Sequence, residues 1–244
     1  MCLPVQETGY DSPAVVDRYA AMRERGLSDR EANAVDRFLD PGDRVLDLGC
    51  GAGRTTGPLR EAGLDVVAVD LSRPMVESAD DAVSGCSFAV ADAASLPFGD
   101  RAFDAVLFSY NGIDELRPAS SRAAALAEIR RVLVPGGTLA FSTRNRLRWF
   151  VPYPPTRGML SWILRFWRVN LLEGNVGGPY KRDVRSDPPK RVYFSGPRKQ
   201  SRQLRAAGFE PVARLGKGGP LSALFGPALF VVARRPPLGR STRC

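Results

Sequence analysis

Asp47, Asp70 and Asp92 have the spacing in this sequence that best suits chemistry, because each stands at the end of a short apolar run. Asp47 precedes Gly49-Cys50-Gly51-Ala52-Gly53-Arg54, Asp70 closes Leu64–Val69, and Asp92 follows Ser87–Val90 within Ala91-Asp92-Ala93. Glycines in a strand-to-helix turn let the backbone bend tightly and approach a ligand. A dinucleotide fingerprint starting at Gly49 would need its third glycine at position 54, which is Arg54. A carboxylate two residues before Gly49 would also repel a pyrophosphate, whereas it suits a ligand carrying an amino group or another cation. Asp70 is spaced from the glycines so as to bind ribose hydroxyls. Asp92 can accept from an exocyclic adenine amine while the next N–H, that of Ala93, donates to a ring nitrogen. The crevice so described is acidic, phosphate-averse and competent for adenosine. S-adenosylmethionine fits it and a dinucleotide does not.

The sequence contains no histidine. Ser–His and Cys–His nucleophilic pairs and histidine-ligated metals are therefore excluded, and no metal is expected. Methyl transfer from a sulfonium needs mainly alignment and exclusion of water. Where the acceptor must first lose a proton, Tyr10, Tyr110, Asp114 and Glu115 are the available bases. Tyr110, Asn111 and Asp114, just past the fourth apolar run, are the candidate catalytic residues.

The elements that must position these groups alternate. Strands are predicted over 44–48, 64–69, 87–90, 103–108 and 138–142, with helices over 54–62, 73–83 and 120–133 between them. Pro135-Gly136-Gly137 reads as a turn. Such alternation indicates a parallel sheet covered on both faces. A helix near 198–207 precedes two further strands, 211–215 and 229–233, joined by a Gly/Pro-rich turn. With no helix between them, those two must pair antiparallel. Two helical segments open the chain, 12–25 and one begun by a Ser28/Glu31 capping box. They form an N-terminal helical cap over residues 1–40, followed by a core domain over 41–235 and a flexible tail over 236–244.

Residues 144–195 break the rhythm and form an inserted lid, with all three tryptophans and an apolar helix over 159–172. Long loops inside a compact domain are usually functional or disordered. Trp149, Phe150, Trp162 and Phe166 are its candidate substrate-binding residues. Burial of this helix against the sheet or a partner, or shallow membrane contact through its Trp/Arg face, are the competing readings.

Charge divides the chain. Residues 1–143 hold fourteen arginines, no lysine and twenty-two acidic residues, net −8; residues 144–244 hold twenty-one basic and four acidic residues, net +17. The first half suits a cationic ligand, the second an acidic partner. Cys2, Cys50, Cys86 and Cys244 form no paired motif and read as free thiols. With no signal peptide and no transmembrane run, a cytoplasmic location is expected. The oligomeric state is left open, a dimer included.

In order along the chain, VLDLGCGAGR (45–54), VVAVDLSRPMV (66–76), ADAASLPF (91–98), FDAVLFSYNGID (103–114) and EIRRVLVPGGTLAFST (128–143) strongly resemble the class I methyltransferase family, small-molecule members above all. The resemblance implies an α/β, doubly wound seven-stranded sheet of order 3-2-1-4-5-7-6 with strand seven antiparallel. It implies that Asp47 and the backbone of Gly49, Cys50 and Gly51 hold the methionine end of S-adenosylmethionine and that Asp70 grips the ribose. Leu71 and Met75 would pack near the adenine, Asp92 and Ala93 would read its edge, and Ser109 or Tyr110 would lie near the methyl. The expected acceptor is a small molecule, apolar or acidic. Nucleic-acid methylation through the basic half is the enzymatic alternative, although Ser109-Tyr110-Asn111-Gly112 is not the motif of base amino-methylating enzymes. A nicotinamide dehydrogenase and a non-catalytic cofactor-binding protein are the others.

Overall fold

The computed structural model describes residues 9–150, 156–184, 190–216, 224–226 and 228–237. Prolines 152, 154 and 155, most of the turn between the last two strands, and residues 238–244 of the tail lie outside them.

Two helices lead in, α1 (Pro13–Ala20) and α2 (Asp29–Phe38). The segment read as one helix over 12–25 ends early and continues as a short 3₁₀ turn at Arg23–Arg25. The capping box at the start of α2 is present, with Ser28 N donating to Glu31 Oε2 at 2.6 Å. Alternation then follows: β1 (Arg44–Leu48), α3 (Thr56–Glu61), β2 (Asp65–Asp70), α4 (Arg73–Asp80), β3 (Ser87–Val90), β4 (Phe103–Phe108), α5 (Ala119–Val132) and β5 (Leu133–Arg144). The inserted region holds α6 (Arg157–Leu172) and the antiparallel pair β6 (Tyr180–Asp183) and β7 (Lys190–Tyr193). The chain returns through α7 (Pro197–Ala206), β8 (Glu210–Leu215) and β9 (Ala228–Arg234).

The main sheet has the order β3-β2-β1-β4-β5-β9-β8. β1 to β5 run parallel, and β9 pairs antiparallel with both β5 and β8. Because the two strands of the insert form a sheet of their own, this is the expected order with the last two strands renumbered. Pro135-Gly136-Gly137 is a bulge inside β5, not a turn before it. The register of β4 against β5 shifts there, and Gly136 takes φ +87°. A side chain at Gly137 would lie 2.9 Å from the carbonyl oxygens of Asp104 and Val134.

Alternation along the strands sorts the core onto two faces. Leu46, Leu48, Val67 and Val69 pack beneath Ala125 and Ile129 of α5, while Val45, Val66, Ala105 and Leu107 pack beneath Ala34 and Val35 of α2 and Leu59 of α3. A third cluster, Trp149, Met159, Phe166, Val184, Val192 and Phe194, belongs to the insert. No helix among the described residues is long and apolar enough to cross a membrane.

Candidate active site

The carboxyl ends of β1, β2 and β4 open into a cavity of about 700 Å³. At one end it is walled by Gly49, Gly51, Asp70, Leu71, Met75, Asp92 and Ala93. At the other stand Tyr10, Tyr19, Tyr110, Glu115 and a set of cations from the insert and the ends of β4 and β5.

The first end is built from backbone turns braced by carboxylates. Asp70 accepts from Gly51 N and from Ser72 N, both at 2.9 Å, so the tip of β2 is tied to the glycine loop after β1. Burial raises the Asp70 pKa, the two backbone N–H groups oppose the rise, and neighbouring Asp11 adds to it. Asp92 accepts from Ala94 N at 2.8 Å, an Asx turn that holds its carboxyl at the cavity. Gly49 has φ +68°, and a side chain there would lie 2.9 Å from the Phe108 ring. Gly112, across that ring, would bring one to 2.3 Å. Only glycine on both sides lets Phe108 close the floor of the site.

Beneath the loop runs a buried ion pair. Arg54 donates to both Glu31 carboxylate oxygens, at 2.9 and 2.8 Å, and to Ser109 Oγ at 3.0 Å, while the Ser109 hydroxyl donates to Glu31. Burial acts to raise the Glu31 pKa, but the hydrogen bonds and charge of Arg54 prevail and hold it below the usual range. The pair locks α2, the glycine loop and the end of β4 together.

At the far end, Tyr10, Tyr19 and Tyr110 meet edge to face, with ring centroids 5.7 and 6.1 Å apart. Burial, followed by the charge of Glu115, drives the Tyr10 pKa far up, and burial also raises that of Tyr19, so both phenols keep their protons.

A sequence profile of the family described as "Methyltransferase domain" matches residues 45–137. A demethylmenaquinone methyltransferase of Beutenbergia cavernae is 39% identical over 146 residues, covering 59% of this chain and 56% of that protein. One from Renibacterium salmoninarum is 43% identical over 99 residues, covering 41% and 40%. The chain thus spans about half the length of the relatives it matches. Among solved structures, the CcbJ methyltransferase of Streptomyces caelestis superposes with a TM-score of 0.67 at 18% identity, covering 96% of this chain and all of that one. Magnesium protoporphyrin IX methyltransferase of Synechocystis, with bound S-adenosylhomocysteine, gives 0.62 at 19% identity over 93% and 97%. Those two likenesses speak to the fold, and the matched stretch covers the glycine loop and the three strand tips. Residues 45–137 are thus similar to the methyltransferase-domain family, and the chain has the fold of the class I methyltransferases it superposes on.

The end of the cavity walled by Asp70 and Asp92 fits an adenosyl sulfonium. Its polar side chains, Asp70 and Asp92, are acceptors suited to hydroxyls and an amine, and Leu71, Met75 and Ala93 offer apolar surface for a flat base. Among the described residues, no side-chain cation lines that end to hold a pyrophosphate.

Gly49, Gly51, Asp70, Leu71, Met75, Asp92, Ala93, Ser109 and Tyr110 are brought together at the cavity wall. Others are not. Asp47 lies on the strand face opposite Leu46 and Leu48 and is fully buried; the hydroxyls of Thr55 and Thr56 donate to its Oδ2 at 2.8 and 2.7 Å. It braces the glycine loop from below instead of facing a cationic ligand. Cys50 is buried beside it.

Asn111, in the left-handed region, uses its N–H on Ser142 Oγ and is not at the wall. Asp114 is fully buried and bound by Arg122 at 3.1 Å and Thr143 at 2.7 Å, so it anchors structure and is not placed as a base. Its neighbour Glu115 faces the cavity in its stead.

Trp149 and Phe166 stack on each other at 4.0 Å in the insert's own core, and Phe150 and Trp162 are exposed away from the wall. The insert reaches the cavity through Arg182, Lys190 and Arg191 of its hairpin. Sequence reasoning missed that hairpin, and it missed Glu31 as a partner of Arg54. An arginine directly after the last loop glycine was the available signal for the second.

Proposed function

We propose that this chain transfers a methyl group from S-adenosylmethionine to a small-molecule acceptor, as an enzyme of the EC 2.1.1 class. The observation that carries the reading is one continuous cavity joining an acidic, apolar-walled donor end to a tyrosine-walled acceptor end. S-adenosylmethionine, when bound, supplies a methyl on a positively charged sulfur, open to in-line displacement. The chain's own part is placement. Asp70 and Asp92 orient the donor, Tyr110 and Phe108 limit where an acceptor can lie, and Tyr10 and Tyr19 donate hydrogen bonds as neutral phenols. Glu115 is the carboxylate at the wall able to take a proton from an acceptor hydroxyl. A ring-bearing acceptor, of the kind the relatives' name demethylmenaquinone describes, suits the tyrosine wall. Free cysteines without a paired motif support a reducing, cytoplasmic setting.

Nucleic-acid methylation draws on a different surface. Arg198, Arg202, Arg205 and Arg214 line a depression of about 400 Å³ that shares no residue with the reaction cavity. Affinity for RNA that falls steeply with salt would favour that alternative.

Calorimetry with S-adenosylmethionine, S-adenosylhomocysteine and NAD tests the proposal. Both adenosyl-sulfur ligands are expected to bind and NAD is not; binding of NAD alone overturns it. Asp70→Ala is expected to weaken S-adenosylhomocysteine by about 100-fold or more, the loss of hydrogen bonds to a charged group. Wild-type affinity in that variant would show that the ribose lies elsewhere. Cofactor binding without turnover of any acceptor would favour the non-catalytic alternative.

A further inference from the structure

The acceptor end of the cavity is lined mainly by cations. Arg117, Arg144, Arg182, Lys190 and Arg191 all line it, and among the described residues the carboxylate lining this end is Glu115. Glu115 is itself shared, 3.8 Å from both Arg144 and Lys190. Asp183 holds Arg144 at 2.8 Å and Glu173 holds Arg182 at 2.6 Å, which places those two guanidinium groups. Arg191 is positioned differently: it donates to the neutral amide of Asn175 at 2.5 Å, a bond that leaves its charge uncancelled. Lys190 lies 3.3 Å from the centroid of the Tyr10 ring; burial pushes its pKa down, Glu115 opposes the fall, and Arg144, Arg18 and Arg117 add to it.

The aromatic wall faces these cations across the same space, while the donor end holds Asp70 and Asp92. The cavity is thus polarised along its length, acidic where a sulfonium would sit and basic where the acceptor enters. We infer that the acceptor is a small ring-bearing oxyanion whose carboxylate or phosphate is held by Arg117 and Arg191 while its ring lies against Tyr19 and Tyr110. Guanidinium groups suit this role because they present paired donors to two oxygens at once. A cation at the mouth of a cleft also draws anions in and is screened by salt.

The inference rests on the methyl-transfer reading, and its test separates the two. S-adenosylhomocysteine is titrated first by calorimetry. In its presence, matched probes follow: 3,4-dihydroxybenzoate and caffeate against their primary amides, and phenyl phosphate against phenol. The charged member of at least one pair is expected to bind roughly tenfold tighter than its neutral partner, and to weaken as salt rises. Which pair discriminates tells carboxylate from phosphate. The double variant Arg117→Gln/Arg191→Gln is expected to erase that preference while leaving the S-adenosylhomocysteine affinity unchanged, which also reports that the variant is folded. Equal binding of acids and neutral partners, no binding of any probe to a protein that binds S-adenosylhomocysteine, or a preference that survives the double variant would overturn the inference. Failure of S-adenosylhomocysteine to bind while acids remain preferred would count against the donor reading alone.

Discussion

Two carboxylates with nearly the same sequence surroundings behave differently because of the strand face they occupy. Asp70, at the tip of β2, borders the cavity, while Asp47 points the other way beneath two threonine hydroxyls. Burial moves the Asp47 pKa from 3.8 to about 6, against the pull of those hydroxyls. Since the folded protein binds this proton more tightly than the unfolded chain, the stabilisation is fully present below about pH 4 and is lost as pH rises through about 6. A shift of that size corresponds to roughly 3 kcal/mol. Asp47→Asn keeps an acceptor for the threonines without the titration. Urea denaturation of wild type and variant at pH 4 and pH 7 should therefore show the wild type losing about 3 kcal/mol relative to the variant; parallel pH profiles would exclude this assignment. The sequence located both residues by strand-end spacing. It could not say which face each would take relative to the ligand, because the glycine loop curls over one side only.

Among elements, the lock between α2, the glycine loop and β4 is the most exposed to test. Glu31 and Arg54 are paired with side-chain exposures of 5% and 14%, and little water can replace a lost partner. Glu31→Ala is expected to cost about 3 kcal/mol, because it strands the arginine, and Glu31→Ala/Arg54→Met should recover much of that loss. A urea double-mutant cycle measures it; additive single losses would mean that the pair is not coupled. The capping box that starts α2 was legible from Ser28 and Glu31 alone. The second engagement of Glu31 was not, since it depends on a residue brought in by the fold from the glycine loop. The helix over 157–172 was equally legible from its apolar run. The β6–β7 hairpin was not: Tyr180-Lys181-Arg182-Asp183 and Lys190-Arg191 carry charges where alternating apolar residues would mark a strand. Lys181 is buried all the same, donating to the carbonyls of Asn175, Val176 and Gly178.

Over the whole molecule, several contacts fasten the insert to the rest of the fold, among them those of Arg144 with Asp183, of Asn145 and of Arg122. Asn145, at the end of β5, donates to the carbonyls of Leu224 and Gly226 and bridges to Ser195. Arg122 of α5, almost fully buried, joins Asp114 to Gln200 of α7 and lies 4.6 Å from the Tyr193 ring of the hairpin. Arg122→Met removes the ionic partner of Asp114 and the cation under Tyr193. It should destabilise the fold by about 3 kcal/mol and speed amide exchange over 180–193 more than over β1, β2 and β4. Hydrogen exchange read by mass spectrometry decides this, and uniform acceleration would mean that the hairpin is not separately held. The order of the sheet was legible from strand–helix alternation together with the family resemblance. The docking of the insert was not, because no local pattern marks a buried arginine that serves three elements.

The two ends of the reaction space are thus owned by different parts of the chain. Donor contacts come from strand tips that the entire sheet depends on, whereas Arg182, Lys190 and Arg191 ride on a hairpin outside it. Under the proposed reaction, substitutions in that hairpin would change which acceptor is taken without touching the residues that hold the methyl donor. On that reading, acceptor choice could be rewritten within residues 144–195 while the strand tips that face the donor stay as they are.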